Sequence, residues 1–378
     1  MGRRMRPVWA EIDLTAITHN TGILKGLISP DTLLMAVVKA NGYGHGAGRV
    51  AEAALAAGAD CLGVATVEEA GQLSQAGVDA PIHILSEAPV NPADSAIIAA
   101  NGFIATVCRR ETADALSQAA EDAGREVVVH VKIDTGMNRL GLKGDPAAVA
   151  EFFKHLEHLP GIKTEGIFTH FAKADDPDSD FSRLQLNRFL EITEELAKQG
   201  LCPKIKHAAN SAAIIDFPES HLDMARAGIA IYGLNPSPAF AGRADIRPAL
   251  SLKARISFVK DVPAGEGISY GLTYTTQRES RIATLPLGYA DGYSRLLSNK
   301  TDVLVNGRKA RNVGTICMDQ LMVDVTGLEG VETGTEAVLI GLDGGESITA
   351  DEIAARLGTI NYEVVCMINA RVPRVYLT

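Results

Sequence analysis

The sequence predicts an α/β protein: an N-terminal (β/α)8 barrel followed by a C-terminal, mainly-β domain. From about residue 30 to 233, short β-rich apolar runs alternate with amphipathic, Ala-rich stretches of helical period. The alternation repeats about eight times in about 200 residues, close to the size of a (β/α)8 barrel. After about residue 235 the texture changes. "NPSPAFAGRADIRPAL" is rich in Pro and Gly, as a linker would be, and strand-like segments follow with few long helical patterns. A length of 378 residues also exceeds one minimal module, given about 150 residues per domain.

The strands of the first region, in order, are expected at residues 33–40, 61–67, 82–86, 103–107, 126–134, 166–172, 205–210 and 224–233. Helices are expected at 47–58 and at 181–200, the latter closed by Gly200. In the second region "LSLKARISFVKDV", "SRIATLPLGYADGY", "TDVLVNGRKARNVG", "CMDQLMVDVTG" and "EAVLIGLDG" read as strands. One helix, 349–358, opens on a Thr cap and ends at Gly358. The expected domains are 1–237 and 238–378, with a strand at 8–14 as a candidate to join the second. An open doubly wound sheet is the alternative, with fewer strands and one Gly-rich turn.

Composition narrows the function classes. Apolar residues at 46% and charged residues at 22% are ordinary globular usage. A net charge of −10 argues against a nucleic-acid backbone as main partner. The longest apolar stretches, such as "LLMAVV", fall short of the roughly 18–20 residues a membrane helix needs. Pro7, Glu11 and Asp13 interrupt the place where a signal peptide would be apolar. Cys61, Cys108, Cys202, Cys317 and Cys366 are odd in number, widely spaced and free of CxxC, as in a reducing, cytoplasmic compartment.

In a barrel, catalytic groups gather where strands end at the C-terminal face. Lys39 closes the apolar strand in "AVVKANGYGHG". Poor solvation there favours a neutral amine able to form a Schiff base with an aldehyde; the alternative is a snorkelling lysine. The same segment offers a rival: Gly42, Gly44 and Ala47 satisfy G-x-G-x-x-G/A, and Glu68 follows after the next strand, as in a dinucleotide site. That rival gives Lys39 no role. "HVKIDTGMNRLG" places Lys132, Asp134 and Arg139 around a Gly-rich turn. Arg139 suits a carboxylate or phenolate oxygen, or a salt bridge to Asp134. Asn210 and Ser211, with the amides of Gly228 and Ile229, could cradle a phosphate or cap a helix. His170 reads as a hydrogen-bonded structural histidine; the other histidines are scattered, and without HxH, HExxH or an acidic cluster no metal is assigned.

The ordered motifs "AVVKANGYGHG", "VKIDTGMNRLG", "FTHFAKAD", "HAANSAA", "ARAGIAIYG", "ISYGLTY", "LPLGYADGY", "VGTICMDQ" and "INYEVVC" resemble the alanine racemase family across nearly the whole chain. The resemblance implies pyridoxal 5'-phosphate on Lys39, which serves as base on one face of the substrate. Tyr270 matches the opposite base, contributed by the second subunit of a homodimer with shared active sites. Arg226 matches the residue facing the pyridine nitrogen, with His170 behind it. Tyr43, Ser211, Gly228, Ile229 and Tyr362 match phosphate contacts, beside Asn210. Arg139 matches a residue near the phenolic oxygen and the substrate carboxylate, while Met318 and Asp319 match substrate-side positions from the partner. Asp175, Tyr289 and Arg295 match channel positions, and Lys132 a lysine carbamylated in some members. Relatives often carry arginine before "ICMD", where this chain has Thr315, a departure that bears on substrate access and on tolerance of larger side chains.

Racemisation needs proton removal on one face of a carbon and delivery on the other, so two acid/base groups must flank it. The function implied is interconversion of L- and D-alanine, supplying D-alanine for peptidoglycan. Alternatives are a broad-specificity or a catabolic racemase. A related decarboxylase would carry glutamate in place of Arg226, and a non-enzymatic pyridoxal-phosphate-binding protein would lack the β-domain and Tyr270.

Overall fold

The computed structural model describes residues 7–87, 91–143 and 145–378. Contacts divide the described residues into two units: one falls within 16–42 and 47–247, the other within 7–15, 43–46 and 248–378.

The first unit is the barrel. Its strands are β2 (Leu33–Val37), β3 (Cys61–Val64), β4 (Ile82–Glu87), β5 (Ile104–Val107), β6 (Val127–Asp134), β8 (Ile162–Phe168), β9 (Ile205–His207) and β10 (Met224–Ala227), with a short β7 (Leu142–Lys143) beside β6; β1 (Val8–Asp13) belongs to the other unit. Each of the eight pairs in parallel with its neighbours, and β5–β6 and β10–β2 pairings close the ring. Several strands stop earlier than their apolar runs. The run at 33–40 ends at Val37 because the chain turns left-handed after Lys39, and that at 224–233 ends at Ala227 because residues Ile229–Tyr232 form a 3-10 turn. The strand expected at 166–172 begins earlier, at Ile162, where backbone pairing with β6 starts despite alternating polar residues. Helices Ala47–Ala56 and Phe181–Lys198 lie where Ala-rich and amphipathic periodicity place them.

The second unit is built on β11 (Leu250–Arg255), β12 (Phe258–Val262), β15 (Ser280–Leu285), β16 (Asp302–Val305), β17 (Arg308–Asn312), β18 (Leu321–Asp324), β19 (Glu336–Asp343), β20 (Glu346–Ile348) and β21 (Arg374–Leu377); β13 (Gly267–Ile268) and β14 (Tyr274–Thr275) form a separate ribbon. The sheet order is β12-β15-β18-β17-β16-β19-β11-β1-β21, with β20 on β19. The N-terminal β1 lies between β11, antiparallel, and β21, parallel. Helix Ala350–Leu357 carries a capping box from Thr349 and Glu352 and ends at Gly358 with φ 71°. Among the described residues no helix is long and apolar enough to cross a membrane, and all five cysteines are free thiols.

Candidate active site

Lys39 follows β2 directly, and the backbone after it is left-handed. Ala40 (φ 52°), Asn41 (φ 53°), Gly42 (φ 61°) and Tyr43 (φ 48°) all occupy that region, at a cost of roughly 1–2 kcal/mol for each non-glycine residue. Local bonds offset the cost. Glu69 accepts from Ala40 N at 2.6 Å with one carboxylate oxygen and from Ala65 N at 2.7 Å with the other. Asn41 Oδ1 accepts from Ala47 N at 3.1 Å, and Gly42 N donates to Val38 O at 2.8 Å. The buried Tyr232 donates its hydroxyl to Val37 O at 3.0 Å, fixing the end of β2. The main chain on both sides of half-buried Lys39 is therefore held in place.

β10 carries Arg226, only 3% exposed. Its Nη2 donates toward Thr169 O (2.8 Å), Ala208 O (2.9 Å) and His170 Nδ1 (3.1 Å), and its Nη1 toward His207 Nδ1 (3.0 Å). A guanidinium only donates, so Nδ1 of both histidines is unprotonated and each proton sits on Nε2. His207 Nε2–H then donates to His130 Nδ1 at 2.9 Å, and His130 Nε2–H faces Glu165 Oε2 at 3.7 Å. Burial, reinforced by the Arg226 charge, holds His170 and His207 well below the usual imidazole range, so both are neutral near pH 7. Burial and then Arg139 bring Arg226 down to about 9, which leaves it charged at neutral pH. All four partners of this buried cation are neutral.

His130 fits only because residue 166 of the adjacent β8 is glycine: a Cβ there would stand 2.5 Å from the imidazole. His83 joins the cluster from β4, its Nε2 against Thr106 Oγ1 at 3.1 Å. Thr106 donates to Ile84 O, so His83 Nε2 is the donor and its buried Nδ1 has no partner. Nitrogens of His83, His130 and His207 lie within 4.8 Å of one another. Both nitrogens of His207 are already engaged, and the Arg226 guanidinium bonds it directly, while Glu165 faces only His130 of the three. The cluster thus suits fixed proton positions better than a cation. Lys132 lies with Nζ 4.2 Å from the Phe168 ring centroid, and burial, then Arg226 and Arg139, depress its amine well below the usual range.

Ser211 Oγ accepts from Gly228 N at 2.8 Å and Ala230 N at 3.4 Å, joining the ends of β9 and β10. Asn210 Oδ1 accepts from Ala213 N at 3.1 Å, which makes it the N-cap of the short helix Ser211–Asp216. Ile229 is buried at the start of its 3-10 turn. Arg139 is exposed, and among the described residues no ion pair joins it to Asp134, whose Oδ1 accepts instead from Gly136 N and Asn138 N at 2.9 and 3.0 Å. Asp175 is exposed, its carbonyl accepting from Ser237 Oγ at 2.6 Å.

The second unit holds the remaining candidates. Tyr43 and Tyr362 meet with ring centroids 6.2 Å apart. Tyr270 stands on a 3-10 turn between β13 and β14 and is 73% exposed. Ser269, before it, has φ 65° and ψ −173°, a conformation that glycine favours and that costs other residues about 1–3 kcal/mol. Tyr270, Cys317, Met318 and Asp319 line a cleft of about 640 Å³. Asp319 pairs with Arg371 at 2.6 Å. Tyr289 and Arg295 are exposed on their own 3-10 turns, Tyr289 N donating to Cys317 O at 3.1 Å. Thr315 is 4% exposed and bonds the backbone of the Tyr270 turn, so its side chain is buried inside the unit.

Residues 12–236 match the alanine racemase N-terminal domain and residues 249–376 the alanine racemase C-terminal domain. The chain belongs to the alanine racemase family. It is 50% identical over 372 residues to an alanine racemase of Desulfovibrio desulfuricans, covering 98% of each chain. Against an alanine racemase of Methanococcus maripaludis the identity is 45% over 372 residues, 98% of this chain and 99% of the relative. The crystal structure of an alanine racemase from Bacillus anthracis with bound L-Ala-P superposes with a TM-score of 0.94 at 40% identity, covering 100% and 96% of the two chains. One from Streptomyces lavendulae gives 0.93 at 40% identity, covering 100% and 98%.

Alanine racemases depend on pyridoxal phosphate, and the barrel's donor set fits such a group. Arg226, Arg139 and Lys39 exert their positive charge on His170, and the bonding partners of Arg226 are uncharged. An anionic phosphate and phenolate would supply the missing counter-charge. Sequence reasoning missed Glu69, Tyr232, His130 and His207. The histidines did leave a signal: His83, His130 and His207 come from alternate strands of the ring, the pattern that fills one interior layer of a barrel. Glu69 left a weaker one, since Glu68 beside it is the acid that the dinucleotide motif selects.

Proposed function

We propose that this racemase interconverts L- and D-alanine as a homodimer, with Lys39 of one copy and Tyr270 of the other as the two proton-transferring groups. Supply of D-alanine for peptidoglycan is the role this activity serves. Pyridoxal phosphate, when bound, supplies the electron sink that renders an α-proton acidic enough to transfer. Lys39 would hold it covalently. Ser211, Asn210, the amides of Gly228 and Ile229, and the hydroxyls of Tyr43 and Tyr362 would hold its phosphate, while Arg226 would face the ring nitrogen and Arg139 the phenolic oxygen and the substrate carboxylate. Met318 and Asp319 would approach the substrate from the second copy, and Asp175, Tyr289 and Arg295 would line its channel. Lys132, with a depressed, nucleophilic amine, is suited to take up CO2 as a carbamate with release of one proton.

The observation that carries this reading is the buried Arg226, held by neutral partners beside Lys39's strand. Because the guanidinium keeps its protons at neutral pH, it would donate to a ring nitrogen of the bound cofactor without protonating it. Lys39 Nζ takes a proton on one face, and Tyr270 Oη delivers one on the other. Borohydride reduction of the holoenzyme followed by peptide mapping should find the cofactor attached at Lys39, and purified protein should racemise L-alanine. Attachment at another residue, or an unreactive L-alanine, would overturn the reading.

A further inference from the structure

Thr315 has no part in the chemistry assigned above, yet the turn that presents Tyr270 is tied to it from both sides. Ser269 Oγ donates to Thr315 O at 2.6 Å, and Thr315 Oγ1 donates to Tyr270 O at 2.8 Å. Thr315 Oγ1 also meets Thr273 Oγ1 at 3.2 Å. The single proton of Thr315 is committed to the Tyr270 carbonyl, so Thr273 is the donor of that pair. Asn299 Nδ2 in turn donates to Thr273 Oγ1 at 3.1 Å, and Asn299 Oδ1 accepts from Gly314 N at 2.6 Å. The result is a one-directional chain from the Asn299 amide through two hydroxyls to the carbonyl of Tyr270. It spans a turn in which three residues around Tyr270 have positive φ: Ser269 at 65°, Gly271 at 74° and Leu272 at 49°. Such a turn persists only where its surroundings over-determine it. Thr315 itself is buried, so its own hydroxyl is shielded from water. Gly314 matters for the same reason: a Cβ there would stand 2.6 Å from Ile268 O.

We propose that Thr315 is a positioning residue for Tyr270, its hydroxyl fixing the backbone from which the phenol reaches the reacting carbon. The proposal rests on the reading of Tyr270 as one of the two proton-transferring groups. Thr315→Val keeps the shape and deletes the hydroxyl; Thr315→Ser keeps the hydroxyl. In D2O, racemisation and α-hydrogen exchange without inversion are followed together from each enantiomer. Thr315→Val should slow inversion about tenfold or more, since misplacement by about 1 Å costs up to ~100-fold. Exchange with retention, from the enantiomer whose hydrogen faces Lys39, should stay within about twofold of the parent. Thr315→Ser should stay within about twofold in both measures. Equal losses of inversion and exchange in Thr315→Val, or a Thr315→Ser as impaired as Thr315→Val, would overturn the proposal. Tyr270→Phe separates the two ideas. If it spares inversion, the reading of Tyr270 fails and this proposal with it; if it abolishes inversion while Thr315→Val does not slow it, the Thr315 proposal alone fails.

Discussion

Lys39 and Tyr270 are both presented by backbone in the left-handed region, but the two surroundings differ. Around Lys39 the turn is anchored by Glu69, and the nearby barrel interior is a closed network of Arg226 and neutral histidines in which each proton position is set by a donor-only guanidinium. Around Tyr270 the backbone is equally well anchored, through Ser269, Thr273 and Thr315, while the side chain itself stands in the open. One region fixes its side chains by burial. The other fixes only main chain and leaves its phenol exposed, the exposure that the proposed sharing of the site between two copies would need.

That contrast can be broken at several points. Lys39→Ala should lower racemisation by at least about 10³-fold, since both the covalent anchor and one acid/base group go; a loss below tenfold would remove Lys39 from the account. Glu69→Ala deletes two charge-assisted bonds worth about 1.5–3 kcal/mol each. It should reduce kcat by about 10- to 100-fold with a smaller change in KM, and Glu69→Gln should fall between; an unchanged kcat would mean that the left-handed turn holds without its carboxylate. Gly166→Ala forces the His130 ring aside and should cost about 1–3 kcal/mol in urea denaturation, whereas Thr315→Val, which frees partners on an exposed turn that water can reach, should shift the midpoint less. The reverse ranking would erase the distinction between buried and open regions.

A further effect concerns pH. His83, His170 and His207 have folded-state values well below 6.5, first because of burial and then neighbouring positive charge. Above about pH 6.5 both folded and unfolded forms are neutral there. Below it the unfolded chain takes up protons that the folded one refuses, so stability falls as the pH drops. Denaturation midpoints of the holoenzyme measured from pH 8 to 5.5 should decline below about 6.5, and a flat profile would show that these imidazoles are not buried neutral.

The fold was legible because its signals are periodic: alternating strands and helices, then a Pro- and Gly-rich break and strand-like segments. Helix 350–357 was read almost to the residue, because a Thr cap and a terminal Gly are local chemistry. Strand ends were less legible. Nothing in the apolar run through Val38 announces that the backbone reverses hand after Lys39, since Ala40 is held there by Glu69, far along the chain, and Asn41 by its side chain on Ala47 N. Asn210 presented two readings to sequence, and its side chain makes the helix cap. The histidine network was hidden for a different reason. His130 and His207 are 77 residues apart, and only the side-by-side pairing of β6, β8 and β9 in the barrel brings them to 2.9 Å. Thr315 looked like a missing channel arginine; its burial and its bond to the Tyr270 carbonyl give it other work.

Mixing two inactive variants, Lys39→Ala and Tyr270→Phe, probes the shared site itself. After subunit exchange, half of the dimers carry one copy of each, and each of these holds one intact pair of proton-transferring groups out of two. Recovery of about a quarter of the parent activity is therefore expected for a two-fold assembly with sites built from both copies. No recovery, despite mixed dimers demonstrated by mass, would place both groups in the same copy and contradict the account.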